Sequence, residues 1–121
     1  MERVKPLKID TTQVKIWFTS DTHFGHKNIL TFCERPFNSV EEMDNTIIER
    51  WNSKVEKDDI VFHLGDFAFA SNKRWQELIY KLNGKIYLIL GNHDVTRWPG
   101  SYTMQLFDRV ENQIMLKIDN K

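Results

Sequence analysis

The 121-residue sequence contains one cysteine, three prolines and five glycines, and its formal net charge is zero. Cys33 has no second cysteine with which to form an internal disulfide, so we expect a reducing, cytoplasmic location. The longest apolar run, Ile86–Leu90, is far too short to span a bilayer. Balanced charge excludes a global attraction to nucleic acid or anionic lipid, and no Gly-x-Gly-x-x-Gly or Walker loop is present.

The remaining composition is that of a folded domain. Hydrophobic residues make up 40% of the chain and aromatic residues 12%, which excludes disorder as the default state. No repeat, low-complexity tract or Pro/Gly/Ser-rich linker marks a boundary, so residues 1–121 are interpreted as a single domain. Residues 1–13 are polar, and we expect them to lie loosely on the surface.

Apolar runs and capping residues predict alternating strands and helices. Three runs rich in branched and aromatic residues predict buried strands, at Val14–Phe18, Ile60–Leu64 and Lys85–Leu90. Between them, Ser39 and Ser71 each precede helically spaced apolar residues and are predicted to cap a helix. A last apolar segment, Gln113–Ile118, predicts a fourth strand. This order is typical of an α/β fold, a parallel sheet flanked by helices.

Polar residues follow each of the first three predicted strands, where ligands collect in open α/β sheets. In chain order they are Asp21, His23 and His26, then Asp66, then Asn92, His93 and Asp94. Carboxylate oxygens, an amide oxygen and neutral imidazoles suit hard or borderline divalent cations. The sequence therefore predicts a metal site at this edge of the sheet.

The chemistry of each residue type suggests how four of these residues bind metal. Residues two apart in an extended segment point the same way, so Asp21 and His23 are predicted to bind one ion together. Asp66 has two carboxylate oxygens and is predicted to bridge a pair of ions. Asn92 offers a neutral oxygen to the second ion.

The other polar residues are candidates for catalysis, substrate contact or support. His93, next to Asn92, is expected to point toward a substrate, with Asp94 orienting its imidazole. His26 is a candidate substrate contact, and Arg35 is a candidate for holding phosphate oxygens. His63 lies inside a predicted buried strand, so we interpret it as a hydrogen-bonded core histidine.

These motifs resemble those of the calcineurin-like metallophosphoesterases. Three motifs carry the resemblance: Ser20-Asp21-Thr22-His23, Gly65-Asp66 and Gly91-Asn92-His93-Asp94. The string Asp21–Asn28 is similar to a bacterial and phage branch of small members. The resemblance implies a partial metallophosphoesterase α/β sandwich that hydrolyses a phosphate ester, a diester being favoured, with water activated by metal.

The resemblance also implies roles for individual residues. Asp21 and His23 would bind the first metal, Asp66 would bridge, and Asn92 would bind the second metal. His93 would donate a proton or stabilise the transition state. Manganese is the first choice of ion, with iron, zinc and nickel as alternatives, and the complete fold would hold two ions.

The sequence departs from the family pattern at one point. Family members have further histidine ligands downstream, whereas no histidine follows His93 here. We therefore expect the domain to be C-terminally incomplete. Three hypotheses stay open: an active phosphoesterase, a catalytically incompetent metal- or phosphate-binding remnant, and a site completed in a homo-oligomer through the C-terminal edge strand.

The expected partner is a phosphate-ester substrate. Nucleic acid and cyclic nucleotides both remain open as diester substrates, since nothing in the residues decides between them. No membrane partner is expected, because no apolar segment is long enough.

Overall fold

A computed structural model describes residues 6–32, 35–90 and 101–119. The strands are β1 (Leu7–Ile9), β2 (Ile16–Thr19), β3 (Ile60–His63), β4 (Lys85–Ile89), β5 (Arg109–Glu111) and β6 (Leu116–Ile118). The helices are α1 (Ile29–Phe32), α2 (Val40–Lys54), α3 (Asn72–Lys81) and α4 (Ser101–Met104). Within the described ranges, no helix has the length and apolar character needed to cross a membrane.

Four parallel strands form the main sheet, in the order β2-β3-β4-β5. In the register of this sheet, Phe18 lies opposite Phe62, and Phe62 lies opposite Tyr87. Because the strands are parallel, their carboxyl ends lie at one edge of the sheet. The α/β class with a parallel sheet flanked by helices is confirmed.

The two long helices begin at the residues that the sequence predicts. The hydroxyl oxygen of Ser39 accepts a hydrogen bond from the N–H of Glu42 at 3.1 Å. The hydroxyl oxygen of Ser71 accepts one from the N–H of Arg74 at 3.2 Å. Each cap satisfies a backbone donor that has no partner inside the helix, which is worth about 1 kcal/mol.

The main core lies between these two helices and the sheet. Its buried side chains come from α2, α3, β3 and β4, and they include Trp51, Val55, Trp75, Leu78, Val61, Ile86 and Leu88. Phe67, which follows β3, is fully buried in the same cluster. Its ring centroid lies 5.1 Å from that of Trp75 and 5.4 Å from that of Phe24. The segments after β2 and β3 are therefore anchored in the core by aromatic rings.

Two predictions about the periphery of the fold are corrected. A strand does form within Gln113–Ile118, as β6, but the fourth strand of the main sheet is Arg109–Glu111. Within that predicted segment, β6 instead pairs in parallel with β1 in a separate two-stranded sheet. Residues 7–9 are consequently held in place rather than loose, and Ile9 is buried. The strand β5 carries two charged residues of three, so backbone pairing with β4 forms it without an apolar pattern.

A glycine between α3 and β4 packs closely against the segment that joins α2 to β3. Gly84 has φ +96°, and a Cβ there would lie 2.9 Å from Val55 Cγ1 and 3.1 Å from the carbonyl oxygen of Asp59. We expect Gly84→Ala to lower the free energy of unfolding by about 1–3 kcal/mol, because backbone strain and steric overlap add. Urea denaturation measures this loss. The exposed Lys81→Ala variant is the control and should change it by less than about 0.5 kcal/mol. Equal stability of the two variants would contradict the expected overlap.

Candidate metal centre

Two paired loops carry the predicted metal ligands that the structure describes. We call residues 20–26 the first ligand loop and residues 65–69 the second ligand loop. Four backbone hydrogen bonds of 2.8–3.0 Å join them. Three run from the N–H groups of Asp21, His23 and Phe24 to the carbonyls of Gly65, Asp66 and Phe67, and the fourth runs from the N–H of Phe69 to the carbonyl of Phe24. These bonds extend the pairing of β2 with β3 beyond the ends of the strands.

The pairing brings three predicted ligands together. His23 Nε2 lies 3.7 Å from Asp21 Oδ1 and 3.9 Å from Asp66 Oδ2. One ligand atom from each of the three residues lies within 4.8 Å of the other two. Two atoms that each bind one ion at about 2.1 Å lie roughly 3–4 Å apart, so this donor set fits a single divalent cation.

All three of these residues have left-handed backbone. The φ values are 55° at Asp21, 51° at His23 and 54° at Asp66. The prediction that Asp21 and His23 belong to an extended segment is therefore wrong, although their side chains do meet. They meet because both residues adopt the same left-handed φ where the loop turns to pair with the second ligand loop. Asp and His are among the residues that tolerate this conformation best.

Asp21 is the exposed member of the group, with 60% of its side chain accessible. Its Oδ2 accepts a hydrogen bond from Ser20 Oγ at 2.9 Å. Burial acts to raise the pKa of this carboxyl, but the hydrogen bond from Ser20 and the nearby His23 lower the pKa below its usual value. Asp21 is therefore a charged carboxylate at neutral pH, the form that binds a cation.

His63 supports both loops from the core. It is fully buried, and its Nδ1 accepts a hydrogen bond from the N–H of Gly65 at 3.2 Å. Its Nε2 lies 3.0 Å from Thr22 Oγ1, and that hydroxyl donates its own hydrogen to the carbonyl of Phe67 at 2.8 Å. The proton of the ring therefore resides on Nε2. The interpretation of His63 as a hydrogen-bonded core histidine is confirmed.

An aromatic platform lies beside the donor set. The ring centroid of Phe69 lies 4.2 Å from that of His26 and 5.4 Å from that of His23. The two imidazoles approach each other, with 3.3 Å between their Nδ1 atoms. His26 therefore lies next to the ligand group, and its contact with substrate stays a prediction. Nothing in the sequence pattern singles out Phe69, which lies in a short apolar stretch after Asp66.

Arg35 binds the backbone of the first ligand loop, and its predicted contact with phosphate stays a prediction. Its Nη2 donates to the carbonyl of Asp21 at 2.6 Å, and its Nη1 donates to the carbonyl of Thr22 at 3.0 Å. The guanidinium therefore holds the backbone of the first ligand loop. This contact does not test whether Arg35 also touches a phosphate.

Several predicted residues lie outside the described residues. They are Cys33, Asn92, His93 and Asp94. The second metal ligand and the catalytic pair therefore stay predictions, as does a bridge by Asp66 to a second ion.

Because His63 is buried, we expect the stability of the protein to depend on pH. Burial lowers the pKa of His63 to about 3, whereas an unfolded histidine has a pKa near 6.5. The unfolded chain binds more protons between these values, so stability falls as the pH drops below about 6.5. We expect His63→Gln to flatten this fall by up to about 1.4 kcal/mol per pH unit. Urea denaturation at pH 7 and pH 5 in a metal chelator measures the slope, and equal slopes in both proteins would contradict the prediction.

Comparisons with known proteins agree with this geometry. Residues 14–120 match the family described as calcineurin-like phosphoesterase. The chain is 51% identical over 82 residues to the uncharacterized protein MJ1445 of Methanocaldococcus jannaschii, a match that covers 66% of this chain and 47% of that protein. It is 42% identical over 81 residues to the gene 66 protein of Mycobacterium phage L5, covering 64% of this chain and 39% of the phage protein.

A solved structure has the same fold. The protein of unknown function AQ665 from Aquifex aeolicus is 27% identical, with a TM-score of 0.65 over 82% of this chain and 52% of that one. The present chain thus matches only about half or less of the length of each of these relatives. With a family match that extends over most of its residues, the chain belongs to the calcineurin-like phosphoesterases.

Proposed function

We propose that this protein is a metal-dependent phosphoesterase that hydrolyses a phosphate ester with water. The observation that supports the proposal is the donor set of Asp21, His23 and Asp66, whose ligand atoms converge within 4.8 Å at the carboxyl edge of a parallel sheet. Membership of the calcineurin-like phosphoesterase family supports the reaction class. A complete centre needs ligands beyond these three, and we propose the further ligands as well.

Each residue has a proposed role in the reaction. Asp21, His23 and Asp66 hold the ion, and we propose manganese, because oxygen and imidazole donors suit it. A bound divalent ion supplies positive charge that attracts phosphate oxygens and makes water more acidic. We further propose that Asp66 reaches a second ion that Asn92 helps to bind. His93 protonates the leaving oxygen, and Asp94 orients the imidazole of His93.

A groove beside the first ligand loop supports a substrate with an aromatic group. It has a volume of about 300 Å³, and Thr19 and Thr22, on either side of Asp21, both line it. Trp17, Phe18, Trp51, Arg50 and Lys54 also line it. The ring of Phe18 is 55% exposed on the sheet edge, and the two cations are one helical turn apart on α2. We propose a nucleotide-like phosphodiester, whose base packs on the aromatic rings while the cations attract its negative charge.

Location and assembly are further parts of the proposal. We propose a cytoplasmic location, which the presence of a single cysteine supports. We also propose that a second copy pairs along β6. Among the described residues β6 has β1 on one side and no strand on the other. Light scattering of the purified chain distinguishes a dimer from a monomer.

The first test of the proposal is Mn²⁺-dependent hydrolysis of bis(p-nitrophenyl) phosphate, followed by release of the coloured product. We expect Asp66→Asn to abolish turnover, because it removes a charged ligand from the donor set. The matched control is Asp58→Asn, the same chemical change at an exposed position before β3, and it should keep wild-type turnover.

The outcomes separate the open hypotheses. Turnover that survives in Asp66→Asn or in a chelator would contradict the proposal. Mn²⁺ binding that Asp66→Asn abolishes, without turnover in the wild type, would instead favour a metal-binding remnant.

The second test concerns the groove. With a nucleotide phosphodiester as substrate, we expect Lys54→Gln to raise KM roughly two- to fivefold, the size expected for one exposed charge, while kcat stays unchanged. The effect should shrink in high salt, because salt screens exposed charges. Lys73→Gln, on the exposed side of α3, is the control. An equal KM in all three proteins would show that the groove does not bind substrate.

A further inference from the structure

A buried carboxylate lies at the first ligand loop without belonging to the donor set. Asp44 is on α2, where only 3% of the residue is exposed. Both of its oxygens accept from the N–H of Gly25, at 3.0 and 3.2 Å, and Oδ2 also accepts from Arg74 Nη2 at 3.2 Å. Burial raises the pKa of Asp44, and the hydrogen bonds from Gly25 and Arg74 only partly offset it. A buried carboxylate is costly, so its contacts indicate its role.

The partner of Asp44 is the glycine between the two histidines of the loop. Gly25 has φ +74°, and a Cβ there would lie 2.9 Å from the carbonyl oxygen of Phe69. The backbone of Gly25 thus lies in close contact with the backbone of Phe69. That ring in turn stacks on His26 and His23, with interplanar angles of 26° and 5°. Holding Gly25 therefore fixes the surface on which both imidazoles lie.

The same helix also holds the other end of the loop. Arg35, which donates to the carbonyls of Asp21 and Thr22, lies 3.4 Å through Nη1 from the sulfur of Met43. Met43 precedes Asp44 in the first turns of α2 and is fully buried. The first half of α2 thus contacts both ends of the first ligand loop, directly at Gly25 through Asp44 and indirectly at Asp21 and Thr22 through Arg35. Left-handed non-glycine residues are strained and persist only where the surroundings fix them.

We propose that Asp44 is a positioning residue for the metal centre, holding Gly25 so that His23 keeps the orientation that metal binding requires and His26 stays beside it. This inference rests on the proposed function, since it assumes that the donor set binds a divalent ion. Arg74 completes the arrangement. Its Nη1 lies 3.2 Å from Glu77 Oε2, so its guanidinium is held between Asp44 and Glu77.

Four variants separate positioning from simple stability. Asp44→Ala removes both contacts of the carboxylate. Asp44→Asn keeps an oxygen for Gly25 and removes the charge that faces Arg74. Glu77→Gln weakens only the other partner of Arg74. Leu78→Ala opens a cavity in the core on α3 and is the control for lost stability, expected to lower the melting temperature.

The measurements are the Kd for Mn²⁺ by titration calorimetry, the melting temperature, and hydrogen exchange of the Gly25 amide in the metal-free protein. We expect Asp44→Ala to raise the Kd by about ten- to hundredfold, the size typical of residues that orient metal ligands, and to speed exchange at Gly25. Asp44→Asn should lie between Asp44→Ala and wild type. Glu77→Gln and Leu78→Ala should bind Mn²⁺ within about twofold of wild type.

The outcomes distinguish the positioning role of Asp44 from the proposed function. If Asp44→Ala changes the Kd no more than Leu78→Ala does, or leaves exchange at Gly25 unchanged, the positioning role is wrong and the proposed function is untouched. If the wild-type chain binds no Mn²⁺, the metal centre of the proposed function is wrong, and the positioning role falls with it.

Discussion

The candidate centre depends on the pairing of two loops past the ends of their strands. Four backbone hydrogen bonds connect the first ligand loop to the second, and they bring Asp66 beside His23. The neighbours of these two residues, Phe24 and Phe67, are fully buried and pack edge to face. The loops are therefore built like an extension of the sheet, with polar side chains at the rim and rings in the core. Backbone pairing restricts the loops that carry the donor set, and such restriction before binding would reduce the entropy lost when an ion binds.

Ligand chemistry and backbone conformation both limit which residue types fit the donor positions. Asp21, His23 and Asp66 all have φ between 51° and 55°, a region that β-branched residues avoid. Asp, Asn, His and Gly adopt it with least strain. Substitution at these positions is thus restricted twice, once by the ligand atoms and once by the conformation. An amide in place of a carboxylate keeps the backbone and changes only the charge, which makes Asp→Asn an informative replacement here.

The sequence predicts the parts of this structure that rest on burial and capping. Apolar runs locate β3 and β4, and the Ser39 and Ser71 caps locate the starts of α2 and α3. The strand β5 has two charged residues of three and leaves no apolar pattern, whereas β1 has apolar residues at both ends but is too short, at three residues, for its pattern to predict a strand. The donor set could be predicted because the carboxyl ends of parallel strands share one edge. The roles of Asp44 and Arg35 could not, because a charged residue on a helix or in a loop is ordinarily solvated, and only the folded chain shows which backbone groups it reaches.

The two-stranded sheet differs from the rest of the molecule in the sequence separation of its strands and in its expected stability. β1 and β6 are three residues each, and they join segments more than 100 positions apart, such as Thr11 and Asp119. Contacts of such separation form late in folding, and an isolated pair of short strands is marginal by itself. The sheet should therefore open as a separate cooperative unit, at a lower free energy than the main core. Fraying at this pair would leave the paired ligand loops intact, so the molecule can loosen at its periphery without losing the geometry of the metal centre.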